Sequence, residues 1–100
     1  MRSDAMWPGL KLRAAVMLAL SRKENYAAGI ARELRFRGYR VSDATVHGLM
    51  RDLINDGLIE DTAGLARGRG PKRFFRLSVT GRARSESIER AIRSLLQDSG

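Results

Sequence analysis

The residues with the clearest chemistry are the cations of one short stretch, RGRGPKRFFR, at positions 67–76. Five of its ten residues are Lys or Arg and none is acidic. Guanidinium and ammonium groups bind phosphate oxygens, and the interleaved glycines let the backbone bend toward a ligand. We therefore predict that this stretch binds phosphate, or the minor groove, of a nucleic acid. The residues we assign to that contact are Arg67, Arg69, Lys72 and Arg73.

Two short strands position this basic stretch. Residues 58–62 and 72–77 have the composition of an antiparallel β-hairpin, and the segment that joins them is longer than a tight turn. Phe74 and Phe75 are neighbours on the second strand, so one ring faces the core while the other covers the last helix. We favour this packing over stacking on the bases of a single strand.

A capped helix precedes the hairpin. Ser42 is a good N-cap residue, and Asp43 suits the positive end of the helix dipole. Apolar residues then recur at helical spacing up to Gly57, which predicts a helix of about fourteen residues with one apolar stripe. The stripe consists of Val46, Leu49, Met50, Leu53 and Ile54.

The face opposite this stripe carries residues suited to base edges. Arg51 can form a bidentate pair with guanine, and Thr45 or His47 can hydrogen-bond a base. The small residues Ala44 and Gly48 allow the helix backbone to approach a groove closely. The predicted DNA-binding residues on and beside this helix are Arg40, Ser42, Ala44, Thr45, His47, Gly48 and Arg51.

Arg40 lies just before the helix, where it can clamp a flanking phosphate. The alternative for Arg51 is a pair with Asp52 or Asn55 on a solvated face.

The whole chain, residues 1–100, is predicted to be one domain. Helices are expected over residues 10–21 and 27–37, the second one ending at Gly38. The second and third helices form a helix-turn-helix pattern, and a hairpin directly after it is a wing. The fold class is therefore mainly α with a small β-hairpin, a winged helix-turn-helix of order α-α-α-β-β-α. The DNA-binding core covers about 10–78, and the last helix about 79–97.

Two helices have more apolar surface than so small a domain can bury. The first helix is apolar on nearly every side, and the last carries an apolar stripe with no partner in the domain. We predict a homodimer that forms through these first and last helices. The residues assigned to that contact are Leu10, Val16, Ile88, Ile92 and Leu95.

The charge of the chain favours a polyanionic partner. The formal net charge is +8 and the pI is near 11.2. Such a surface attracts nucleic acid or an acidic membrane face. Arginine accounts for 16 of the 19 basic residues, and its fork suits phosphate and guanine; genome composition is the alternative explanation of this bias.

Several classes of protein are disfavoured. The chain has no cysteine and one histidine, and Glu60 with Asp61 reads as polarity at a strand end, so we expect no enzyme, no metal and no cofactor. The most apolar run, residues 14–20, is too short to span a bilayer. The first residues lack the pattern of a signal peptide. We expect a cytoplasmic protein with no membrane contact.

Two segments, VSDATVHGLMRDLINDGLIE and GRGPKRFFRLSVTGR, resemble the PadR family of bacterial winged-helix transcription regulators. The resemblance covers roughly residues 10–96. The chain has His47 where the family usually has tyrosine, and Ala27 with Ala28 where it usually has Gly-Tyr. MarR-like regulators have a similar wing. The matching residues are Val41, Ser42, Leu49, Leu53, Gly57, Leu58, Ile59, Pro71, Lys72, Phe74, Phe75, Arg76, Leu77, Ser78 and Gly81.

The resemblance implies a dimer, held by the first and last helices, that binds pseudo-palindromic operators. Short members of the family accommodate a flat hydrophobic ligand at the dimer interface against aromatic side chains. Trp7 is similar to those aromatics, so a small hydrophobic effector is a further candidate partner. The alternatives for Trp7 are stapling of the first helix and disorder.

These observations predict a sequence-specific regulator of transcription that binds double-stranded DNA, acting as a repressor on an inverted repeat. A first alternative is a protein that binds DNA or RNA without regard to sequence. A second is a protein-interaction module whose basic tip meets an acidic partner.

Overall fold

The computed structural model describes residues 11–62 and 73–98. Its elements follow the predicted order, with four helices and a two-stranded antiparallel hairpin. The winged-helix arrangement and the mainly helical class are thereby confirmed. The elements are α1 (Leu12–Arg22), α2 (Ala27–Phe36), α3 (Asp43–Asn55), β1 (Ile59–Asp61), β2 (Phe75–Leu77) and α4 (Val79–Asp98).

The helix-turn-helix consists of α2 and α3. After α2, Gly38 takes a φ of +99°, and the Tyr39 N–H donates to the Leu34 carbonyl at 3.0 Å. This pattern is a Schellman end, in which a left-handed residue satisfies the last carbonyls of a helix. At the start of α3 the Ser42 Oγ accepts the Thr45 N–H at 3.1 Å. The predicted stop at Gly38 and the predicted cap at Ser42 are both confirmed.

Helix α1 lies at the centre of the core. Residues 15–20 are all buried, and all of them except Leu18 belong to one cluster with Ile30, Ala31 and Leu34 of α2. Val16 has 0% of its surface exposed. Because a side chain buried within its own chain has no surface left for a second copy, the assignment of Val16 to a dimer contact is wrong. The apolar surface of this segment of α1 is used within the subunit.

The hairpin extends from the core toward α3. The register pairs Ile59 with Leu77 and Asp61 with Phe75. Phe75 is buried in the core, and its backbone exchanges two hydrogen bonds with Asn25, at 2.8 and 3.1 Å. The segment before α2 therefore pairs with the free edge of β2 at one residue, which ties the hairpin to the helix-turn-helix.

The second aromatic of the pair, Phe74, lies beside α2. Its ring meets that of Tyr26 edge-on, with centroids 5.2 Å apart. The buried ring of Phe75 bears out the core half of the packing prediction. For Phe74 the ring contact in the structure is with the residue before α2, a contact that we did not predict.

Helix α4 leaves the hairpin through a close crossing. Ser78 Oγ donates to the Gly57 carbonyl at 2.6 Å and accepts the Gly81 N–H at 3.0 Å. A Cβ on Gly81 would lie 1.9 Å from the Leu58 carbonyl oxygen, so only glycine fits at this crossing. Each helix in the described ranges is too short or too polar to cross a membrane.

Candidate nucleic-acid interface

Helix α3 is held from one side only. Val46, Met50 and Leu53 are buried, while Leu49 is half-buried against the core. Ile54, predicted on the same stripe, is 37% exposed because it lies at the border of the buried face. The opposite side of α3 is therefore left free, and its orientation is fixed by three core anchors and the Ser42 cap.

Small residues occupy the middle of this free side. Ala44 and Gly48 follow each other at i and i+4, with Arg51 and Asn55 as their neighbours on the helix surface. A Cβ placed on Gly48 would meet nothing within 4 Å. The centre of α3 is thus a shallow strip with an arginine beside it. A partner whose surface has a groove can therefore come close to the backbone of α3 at this strip.

Ser42 and Thr45 form a local pair at the start of α3. The Ser42 hydroxyl donates to Thr45 Oγ1 at 3.0 Å while it accepts the Thr45 N–H. Both hydrogen-bonding functions of Ser42 are therefore used within the cap. The hydroxyl hydrogen of Thr45 stays available for an acceptor such as a base or a phosphate.

Two acidic residues beside α3, Asp43 and Asp61, pair with arginines of the same chain. Arg35 pairs with Asp43 at 3.2 Å and also donates to the Val41 carbonyl at 2.9 Å. Arg73 pairs with Asp61. By contrast, Arg40 and Arg51 are exposed and make no hydrogen bond or ion pair within the described residues. Because Arg40 lies just before α3 and Arg51 lies on it, both can meet an external anion at this helix.

A cleft separates α3 from the hairpin. It encloses about 190 Å³. Arg51 and His47 line one wall, and Arg73 lines the other, with the Phe75 ring beneath. The structure therefore brings together two predicted recognition residues and one predicted wing residue. The remaining lining residues are Ala27, Met50 and Ile54.

Several predicted residues lie outside the described ranges. These are the wing cations Arg67, Arg69 and Lys72, the effector candidate Trp7 and the dimer candidate Leu10.

Two residues at the interface escaped the sequence reasoning. Arg35 neutralises Asp43 across the turn, which no local pattern reveals. Asp61 was read as strand-end polarity, although period-2 alternation places it on the same hairpin face as Phe75 and Arg73.

Within residues 11–62 and 73–98, no group of three or more His, Cys, Asp or Glu side chains could hold a metal ion. The arrangement instead offers hydrogen-bond donors and positive charge on a rigid helix.

The fold and this site together define a winged-helix regulator of transcription, a non-enzymatic class. No protein-family model matches the chain. Over 90 residues, however, it is 32% identical to the transcriptional regulator Rv3488 of Mycobacterium tuberculosis, covering 86% of this chain and 83% of that protein. The chain belongs to the PadR family of transcriptional regulators.

Solved structures agree on the fold. A PadR-like regulator (BC4206) from Bacillus cereus superposes with a TM-score of 0.75 at 21% identity, covering 88% of this chain and 86% of that one. A PadR family regulator from Clostridium difficile R20291 gives 0.72 at 17% identity, over 87% of this chain and 93% of that one. ZitR of Lactococcus lactis gives 0.75 at 17% identity over 87% of this chain, which spans 61% of the ZitR chain.

Proposed function

We propose that this PadR-family protein is a dimeric, sequence-specific repressor that binds an inverted repeat in double-stranded DNA. Helix α3 enters the major groove, and the hairpin lies over the neighbouring backbone. Arg51 with Thr45 or His47 reads base edges, while Arg40 and the cations of the wing contact phosphates. Because a repressor acts on the chromosome, we also propose that the protein is cytoplasmic.

One observation carries the proposal, namely the free side of α3. Its centre is open above Gly48, its edge has Arg51, which makes no ion pair within the described residues, and one of its two aspartates, Asp43, is neutralised by Arg35 while Asp52 stays exposed. If this face of the helix met only solvent, nothing would favour small residues at its centre beside the Arg51 guanidinium. A major groove accepts a helix with this profile, because the backbone approaches closely and the arginine reaches guanine.

The dimer is proposed to form through α4. Ile88 and Ile92 are only half-buried, and Leu95 remains 66% exposed, so the apolar stripe of this helix continues past the part that α1 covers. A second copy supplies apolar surface for this stripe, and two recognition helices then meet half-sites about one helical turn apart. Within this proposal, Leu10, just before α1 in the sequence, also contributes to the dimer contact, and a small hydrophobic effector that binds against Trp7 would regulate DNA binding.

Selection of bound fragments from a random duplex library tests the function. Enrichment of an inverted repeat, with half-sites about 10–11 base pairs apart centre to centre, is expected. Binding without enrichment would favour the sequence-neutral alternative, and absence of binding at physiological salt would favour a protein-interaction module. Arg51→Ala should lose enrichment at one position per half-site, whereas Arg90→Ala, which removes the same charge from α4, should not.

A further inference from the structure

One ion pair at the edge of the cleft has an unusual construction. Arg73 donates from Nε at 2.9 Å and from Nη2 at 2.5 Å, and both bonds go to the same oxygen, Oδ2 of Asp61. The guanidinium carbon also lies 5.5 Å from the centre of the Phe75 ring. Two hydrogen bonds and one ring contact therefore fix the direction of a side chain that would otherwise be long and mobile.

We propose that Asp61 is a positioning residue, which orients Arg73 so that it binds one backbone phosphate of duplex DNA at the cleft beside α3. The inference rests on the proposed function and adds to it. It assigns to an acidic residue a part in specific DNA binding that its charge alone would oppose.

The hairpin places the Asp61–Arg73 pair at the edge of the cleft beside α3. Side chains alternate between the two faces of a strand, so Asp61, Phe75 and Arg73 share the face toward α3. Thr62 holds the end of the hairpin, since its N–H and its hydroxyl both donate to the Phe74 carbonyl, at 2.9 and 3.1 Å. The apolar face of the hairpin thus ends in a charged pair at the rim of the cleft.

The pair leaves Arg73 able to bind a second anion. A guanidinium has five N–H donors, and Asp61 uses two of them. The other three make no hydrogen bond within the described residues, and they can meet a phosphate opposite Arg51 and His47 on the far wall. A phosphate there would lie between the recognition helix and the hairpin, and it would set the depth and register of α3 in the groove.

Orientation matters for specific binding because a free arginine loses rotamer entropy when it is fixed. That loss is about 2 kcal/mol for a fully ordered side chain. For Arg73 this loss of rotamer entropy has already occurred when the protein folds, so DNA binding does not incur it again. A sequence-neutral complex gains less from this, since its cations meet phosphates in many registers and depend mainly on net charge.

The hairpin contains a matched control on its other face. Glu60 accepts from Arg76 Nε at 2.8 Å, and the two residues are direct partners in the strand register. This pair has the same charges, although its carboxylate is more exposed, at 47% for Glu60 against 25% for Asp61, and it faces away from α3, toward the start of α4. Glu60→Gln and Asp61→Asn therefore remove the same charge from neighbouring positions with different roles.

The test measures Kd for each variant on the selected operator and on a scrambled duplex of equal length. We expect both substitutions to strengthen binding to the scrambled duplex by about 2–3-fold, because one negative charge is lost. Glu60→Gln should strengthen operator binding by the same factor. Asp61→Asn should weaken operator binding by about fivefold, so that the ratio of the two affinities falls about tenfold or more.

A second variant keeps the inference testable if Asp61→Asn fails to fold. Arg73→Lys keeps the charge but cannot both pair with Asp61 through two donors and present a planar fork to a phosphate. It should lower the operator-to-scrambled ratio about tenfold as well, and the double variant should lower it no further.

The outcomes separate the two proposals. If wild-type protein shows no operator preference, the proposed function fails and this inference falls with it. The other outcomes apply when the wild-type protein prefers the operator. If Asp61→Asn then behaves like Glu60→Gln on both duplexes, or if the effects of Asp61→Asn and Arg73→Lys simply add, Asp61 does not position Arg73. The proposed function stands in either case.

Discussion

Replacing Gly48 with alanine should stabilise the fold and weaken DNA binding at the same time. Gly48 lies inside α3, five residues after the helix begins, and a Cβ there meets nothing within 4 Å. The new methyl group therefore costs no clash, while alanine is favoured over glycine in a helix interior by about 0.8–1 kcal/mol. For a chain of this size, about 1 kcal/mol should raise Tm by about 4–8 °C.

The DNA-binding effect has the opposite sign. In the proposed complex the backbone at Gly48 lies against the floor of the groove, so an added methyl group acts as an overpacking change, with a cost of about 1–3 kcal/mol. Operator affinity should fall about 5–150-fold, measured by fluorescence anisotropy beside a thermal melt. Ser94→Ala, on an exposed part of α4, should raise Tm slightly and leave affinity unchanged. A stabilised Gly48→Ala protein with wild-type affinity would refute the close approach of α3.

The remaining predictions concern charge, specificity, packing and assembly. With about four phosphates met by each subunit, log affinity of the dimer should fall with log salt at a slope of about −7, and a slope near zero in a salt titration would contradict phosphate binding. Arg51→Ala should cost about 1–3 kcal/mol of discrimination at one base position, seen by comparing single-base operator variants, whereas Arg40→Ala should weaken binding to all sequences alike. Gly81→Ala should destabilise the fold by about 3 kcal/mol or more in urea denaturation, since its Cβ would meet the Leu58 carbonyl oxygen; a loss below about 1 kcal/mol would show that the crossing can relax. Leu95→Glu should shift the protein from dimer to monomer in analytical ultracentrifugation, and an unchanged mass would remove α4 from the interface.

Much of the helix-turn-helix could be predicted because its signals are local. The core positions of α3, Val46, Met50 and Leu53, follow from helical spacing alone. Its ends follow from single residues, Ser42 at the cap and Gly57 with a φ of +76° at the stop. Each of these features is determined by a few residues that are close in sequence, so it can be predicted without knowledge of the tertiary contacts.

Features that depend on long-range packing could not be predicted in the same way. The width of the apolar surface on α1 suggested a second copy, but Val16 faces the subunit's own core, since three other helices and the hairpin surround α1. The contact of Phe74 with Tyr26 depends on a single backbone bridge between Asn25 and Phe75. The role of Asp61 depends on strand register, which composition does not specify.

The net charge of +8 overstates the positive potential beside α3. Arg35 and Arg73, the arginines nearest to Asp43 and Asp61, are paired with those carboxylates within the chain. Paired guanidiniums add donors and direction, but little net field, because each is accompanied by an opposite charge a few ångströms away. Long-range attraction to DNA must therefore come from cations without such partners, and Arg51 has none within the described residues. If so, the paired arginines contribute mainly to specificity and the unpaired ones mainly to affinity, which is why a carboxylate such as Asp61 can be useful on a surface that binds a polyanion.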